Sequence, residues 1–180
     1  MRKFIARRLL RAASKRYGYD TTYLEVMLEQ SPSAFFKFAS AAKAAGYRKV
    51  VPVEAGFAAK IVGAMAEDCG PCTQLAVNMA LEAGMAPDQI EAVLRSDVHA
   101  MTTDVALAFG FADAVAKHAD ADTHRDAVRY RWGEKGVVDL AMALQMSRTF
   151  PMIKLALGYA RECHRVSVAG HNVDVVRHAV

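Results

Sequence analysis

Phe57, Ile61 and Met65 recur every fourth residue, flanked by Ala58 and Val62, in a run that leads into Glu67-Asp68-Cys69-Gly70-Pro71-Cys72. That period fits one face of an α-helix and does not fit a strand. Gly70-Pro71 must break the helix. A second helical run then carries Leu75, Val77, Met79 and Leu81 to a stop at Gly84. A dithiol pair between two helices constrains this chain more than any other feature. At a helix start, the unpaired N–H groups and the dipole favour the thiolate of the cysteine that sits there.

The same period organises most of the remainder. Phe4, Ile5, Leu9 and Leu10 alternate with arginines as in an amphipathic helix over residues 1–19. Such a stripe predicts packing on the chain's own domain; a membrane surface or an anionic partner is the alternative. Thr22 and Glu25 have capping-box spacing at the start of the next helix. Ser31-Pro32-Ser33 ends that helix and opens another, which stops near Gly46. Val50-Val51-Pro52-Val53 reads as a short junction, and Pro87-Asp88 opens a short helix. A longer one spans Met101 to Ala119, capped by Thr102 or Thr103, and another piece ends near Trp132-Gly133. Val137 to Met146 is apolar on more than one face, which predicts a central helix, with Pro151 kinking or restarting it. Only the tail changes period. Val166, Val168, Val173 and Val175 alternate around Ala169-Gly170-His171-Asn172 and predict a small β-hairpin over 165–176. The expectation is one all-α domain over 1–180 with that hairpin at its C-terminal end.

Composition narrows the function classes. Hydrophobic residues make up 53% of the 180, yet no apolar run approaches a membrane span, so no integral membrane contact is expected. The net charge of +4 conceals an asymmetry. Residues 1–16 hold seven basic groups and no acidic one, leaving sixteen basic against nineteen acidic residues in the body. A mildly acidic body argues against nucleic-acid binding. Three cysteines in a chain this long do not make a disulfide scaffold. The arm lacks the apolar core of an export signal, so the expected compartment is a reducing cytoplasm.

In that setting Cys69 and Cys72 admit several readings. Cys-Gly-Pro-Cys is the tetrapeptide of thioredoxins, but those place it after a buried strand, and this chain has helical period there and no βαβ alternation. A zinc site needs four ligands; Cys163-His164 could add two, but no second paired knuckle exists. Buried structural cysteines are the bland third reading. No glycine-rich phosphate loop or Ser-His-Asp order is present, and no cofactor is expected.

The helix running into Cys69-Gly70-Pro71-Cys72-Thr73-Gln74-Leu75-Ala76-Val77-Asn78 is followed in order by a helix, a short helix and a long helix. A turn at Trp132-Gly133-Glu134-Lys135-Gly136 and an apolar helix complete the order. Over roughly residues 20–160 this resembles the carboxymuconolactone decarboxylase/AhpD-like family, in a branch of CGPCTQL type. The resemblance implies an all-α, AhpD-like helical bundle that assembles as trimers or hexamers. It also implies thiol–disulfide oxidoreductase or peroxidase activity on a peroxide or disulfide, with a thiol electron donor. By motif position Cys72 is then the nucleophile and Cys69 the resolving thiol. Attack would give a sulfenic acid or mixed disulfide on Cys72, which Cys69 closes to the disulfide.

One departure is plain. The family's relay histidine stands four residues after the second cysteine, where this chain has Ala76, which moves no proton. The family's relay glutamate lies about a dozen residues before the first cysteine. Glu54 is the candidate here, although a straight helix would hold it about 27 Å from Cys72 unless the chain reverses or another subunit supplies it. Glu67 is the nearer carboxylate, able to accept a proton or to raise the thiol pKa by repulsion. Both glutamates are equally readable as ordinary helix charges. Among the histidines, His99 is the nearest downstream candidate for a replacement relay. Two rival functions follow: a non-catalytic helical oligomer that binds a small hydrophobic ligand, and a carboxymuconolactone decarboxylase-type enzyme, for which fold likeness alone carries no chemistry.

Overall fold

The computed structural model describes residues 2–160 and 165–175. Eight helices follow one another: α1 (Arg2–Tyr17), α2 (Thr22–Gln30), α3 (Pro32–Ala42), α4 (Val53–Ala66), α5 (Gly70–Glu82), α6 (Pro87–Leu94), α7 (Thr103–Ala116) and α8 (Asp122–Ala156). Short 3₁₀ turns lie at Lys43–Gly46 and Val98–Ala100. Two strands close the described chain, β1 (Arg165–Val168) and β2 (His171–Asp174), antiparallel with Val166 opposite Val173. Ala169 and Gly170, both at positive φ, make the tight turn that such a hairpin needs. The hairpin's Val166, Val168 and Val173 are buried in the main core. Among the described residues no helix is long and apolar enough to cross a membrane.

The central helix is α4, not the predicted 137–146 segment. Helix α4 packs against α5, α6, α7 and α8, and Ala55, Ala58, Ala59, Ile61 and Val62 have no exposed surface. Small residues let its neighbours approach on several sides. At Gly63 an added Cβ would meet the Ser147 hydroxyl oxygen at 2.0 Å and the Leu144 carbonyl oxygen at 2.7 Å. Helix α8 is one-sided instead, with Leu140, Ala143 and Leu144 inside and Val138 exposed.

Two other expectations change. Helix α8 is interrupted at Gly133 (φ 70°, ψ −176°), so it comprises pieces 122–132 and 134–156. The second piece carries Pro151 inside it and is not restarted there. At the start of α2 the capping partner is Asp20, whose carboxylate accepts the Thr22 backbone N–H at 3.0 Å and the Thr22 hydroxyl at 2.5 Å. Thr22 is thereby the first helical residue instead of the cap.

The N-terminal helix does not bury its stripe. In α1, Ala6 is buried, whereas Phe4, Ile5 and Leu9 are 62%, 51% and 65% exposed. Its attachments are Leu10 against the Leu28–Phe35 cluster, an Arg7–Glu29 ion pair, and an Arg16–Glu82 ion pair at its far end.

The 49–51 junction is held from α8. Asp139 is buried, and its Oδ2 accepts backbone N–H groups of Lys49, Val50 and Val51 at 2.9, 2.7 and 3.1 Å. Burial pushes this carboxyl up. The three N–H bonds and the Arg48 charge outweigh it, so the net shift is below the usual carboxylate range.

Candidate active site

Helix α4 ends at Ala66 with Glu67 as its C-cap, and Asp68 takes a positive φ of 47° to turn the chain. Cys69 occupies the N-cap position of α5, and Cys72 stands in its first turn. The Cys69 carbonyl accepts the N–H groups of Cys72 and Thr73 at 3.0 and 2.9 Å, and the Thr73 hydroxyl at 3.2 Å. Proline at the second helical position costs no bond there, because that N–H has no partner within the helix. Cys69 and Cys72 are joined as a disulfide, with Cα atoms 5.3 Å apart. The pair is 1% and 6% exposed.

The two sulfurs face different surroundings. Cys72 lines a cavity of about 430 Å³ between α4, α5, α8 and the 43–46 turn, and Cys69 does not. Leu75, Ala76 and Met79 of α5 form one wall. Phe57, Lys60 and Ala64 of α4 form another, and Ala143, Ser147 and Phe150 of α8 close it. Phe57 and Ala76 both line this cavity. That part of the lining carries no titratable side chain of its own at either position.

Polar contact with Cys72 comes from elsewhere. Tyr19, in the connection between α1 and α2, places its hydroxyl oxygen 3.6 Å from Cys72 Sγ. That oxygen also lies 3.4 Å from the Tyr23 hydroxyl oxygen. Behind the two rings lies Lys154, 1% exposed, with Nζ 4.7 Å from the Tyr19 centroid and 5.5 Å from that of Tyr23. Burial pushes the Tyr19 phenol upward, only partly offset by the Tyr23 hydrogen bond, and Tyr23 is raised further, by burial first. Both phenols thus hold their protons at neutral pH and act as donors. Sequence reasoning passed over Tyr19, Tyr23 and Lys154. The one available signal was a lysine set in an apolar run after Pro151.

The predicted carboxylates have other hydrogen-bond partners. Glu54 sits in the first turn of α4, about 20 Å of helix away from the Cys69 end. The chain does reverse after α4, but it brings the far end of α5 to Glu54, whose Oε1 accepts the Ala86 N–H at 3.4 Å. Glu67 is close in sequence but turned to α8, where its carboxylate accepts the Arg148 Nε–H at 2.5 Å. Neither lines the cavity. His99 is exposed in the 98–100 turn and does not line it either. Cys163 and His164 lie outside the described residues, as does His178. Among the described residues no group of three or more His, Cys, Asp or Glu side chains could hold a metal ion.

The amides of the motif have structural partners. Gln74 donates to the Ser167 carbonyl at 2.8 Å and accepts the Ser167 N–H at 2.7 Å, pairing with β1 as a strand would. Asn78 accepts from Gln74 at 2.9 Å and donates to the Tyr17 carbonyl at 3.1 Å. Together they tie the hairpin and the end of α1 to the cysteine helix.

No protein-family model matches the sequence, and no curated protein matches it. Among solved structures the chain is similar to the debrominase Bmp8, a cysteine-to-alanine variant in complex with 2,3,4-tribromopyrrole. The TM-score is 0.69 at 16% identity, over 84% of this chain and 82% of that one. A likeness at that identity is one of fold. With the element order above, it gives this chain the all-α, AhpD-like helical bundle with a small C-terminal hairpin.

Proposed function

We propose that this chain is an AhpD-like thiol–disulfide oxidoreductase or peroxidase, with Cys72 as nucleophile and Cys69 as resolving thiol. One observation carries the reading: the sulfurs are already bonded, with Cys72 on the cavity and Cys69 buried behind it. A sulfenic acid or mixed disulfide formed on Cys72 is therefore within reach of Cys69 without rearrangement of α5.

In the reduced protein the Cys72 thiolate attacks the distal oxygen of a hydroperoxide. The S–O bond forms, the O–O bond breaks, and the alkoxide leaves and takes up a proton. The Cys69 thiolate then attacks the Cys72 sulfur, forming the disulfide and releasing hydroxide, which is protonated to water. Two thiols are oxidised, the peroxide is reduced by two electrons to alcohol and water, and an external thiol donor restores the pair. Three features favour thiolate at Cys72: the N-terminal turn of α5, the Tyr19 hydroxyl as donor, and the Lys154 ammonium behind it. Glu67, paired with Arg148, positions the turn before Cys69. A reducing cytoplasm supplies the donor thiols that this cycle needs.

The test is turnover by single variants. Cys72→Ser should abolish thiol-dependent reduction of peroxides and model disulfides, and Cys69→Ser should trap a sulfenic acid or mixed disulfide. If both variants turn over like the parent, the reading is wrong.

A second substrate class is favoured by the fold neighbour, a debrominase with a bound bromopyrrole. The same dithiol could deliver two electrons to a carbon–bromine bond, releasing bromide, protonating the carbon and leaving the disulfide. Bromide release from tribromopyrrole by the reduced protein, absent in Cys72→Ser, distinguishes it from peroxide chemistry.

A further inference from the structure

The cavity beside Cys72 carries a charge pattern that the thiol chemistry does not use. Its walls are apolar, formed largely by Phe57, Leu75, Ala76, Met79 and Phe150. Among the described residues its charged members are Lys43 and Lys60, and no Asp or Glu lines it. Lys60 is half-buried, with Nζ 4.7 Å from the Phe57 centroid. Among the described residues no carboxylate forms an ion pair with it. Lys60 also borders a smaller depression that holds Arg48 and Asp139. Asp139 commits its Oδ2 to the backbone of 49–51, and its Oδ1 is buried without a hydrogen-bond partner. Burial first, and the Arg48 charge second, push the Lys60 amine below its ordinary range.

A half-buried cation beside a second cation is unfavourable until an anion arrives. Hydrogen peroxide or a small disulfide needs no apolar enclosure, whereas about 430 Å³ falls within the ordinary range for small-ligand sites. We infer that the cavity is the binding site of an amphipathic monoanion, its apolar body against Phe57, Leu75, Met79 and Phe150 and its carboxylate on Lys60. Such a molecule presents its reducible group to Cys72. That last role rests on the thiol reading above; the binding does not.

Calorimetric titration of the oxidised full-length protein with octanoate and with octan-1-ol separates the two contributions. Octanoate should bind about tenfold tighter than the alcohol, a difference of one charge-assisted contact. Lys60→Met should weaken octanoate about tenfold and leave octan-1-ol nearly unchanged. Met79→Trp, which fills the cavity from a partly exposed position, should weaken both. Equal affinity of the parent for acid and alcohol, or no binding of either, overturns the inference without any variant. So does octanoate binding that survives both substitutions. The two readings fail separately. Loss of turnover in Cys72→Ser without an octanoate preference removes only the anion site. A preference for octanoate with full turnover in Cys72→Ser removes only the thiol chemistry.

Discussion

Tyr19 meets Cys72 from 53 residues away in sequence, and its hydroxyl is the polar group described at that sulfur. Because burial keeps the phenol protonated, it can stabilise a thiolate by donation but cannot serve as a base near neutral pH. Tyr19→Phe should therefore raise the Cys72 thiol pKa in the reduced protein by about one unit, the worth of one hydrogen bond to a charged group. Lys154→Met keeps the aliphatic stem, removes the charge and should shift it in the same direction. The measurement is the pH dependence of alkylation of Cys72 in each variant; an unchanged value would make Tyr19 a packing residue. Cys69 and Cys72 were legible in the sequence because their spacing is local. Tyr19 was not, since nothing within the 17–23 stretch signals that its connection folds onto α5. Glu54 drew attention as the candidate for the family's relay glutamate and Glu67 as the nearer acid. The long-range partners of the two carboxylates, Ala86 and Arg148, could not be read from local spacing.

At the scale of elements, α4 is held by close approach, and the 49–51 junction that precedes it by one buried carboxylate. Gly63→Ala must displace Ser147 and the backbone of Leu144, and should cost about 2 kcal/mol or more, measured as a lower urea midpoint. Asp139→Ala strands three N–H groups at 49–51 and should cost about 3 kcal/mol. The pH dependence has a definite sign. The Asp139 carboxyl lies below its unfolded value of about 3.9, so its contribution is complete above that pH and drains away as pH falls through the folded value. Urea midpoints followed from pH 6 downward should fall less steeply for Asp139→Asn than for the parent. The helices were legible from their four-residue period, and so was the hairpin from its alternation. The identity of the central helix was not. Ala and Gly in α4 look weakly hydrophobic, yet they are what lets other helices surround it. Pro151 reads as a breaker, but the actual break falls at Gly133, whose positive φ only glycine adopts readily.

For the molecule as a whole, exposed apolar side chains lie on α1 (Phe4, Ile5, Leu9) and on the second piece of α8 (Val138, Met152, Leu155). Together with the family resemblance, these faces support assembly with further copies of the chain. Sedimentation velocity should give the mass of three or six copies, and a monomer at micromolar concentration would refute that expectation. Charge asymmetry identified α1 as a separate feature, but its period could not say which surface covers it. A stripe of the same spacing suits its own core, a neighbour or a membrane equally well.

The central claim is that Cys72 is a nucleophile made acidic by its surroundings. Its most direct test is the thiol pKa of Cys72 in the reduced protein, read from alkylation rates across pH with Cys69 and Cys163 replaced by serine. The account predicts a value well below that of a free cysteine, about 8.5. A value at or above that figure would contradict it and leave the dithiol as a structural bond beside a ligand cavity.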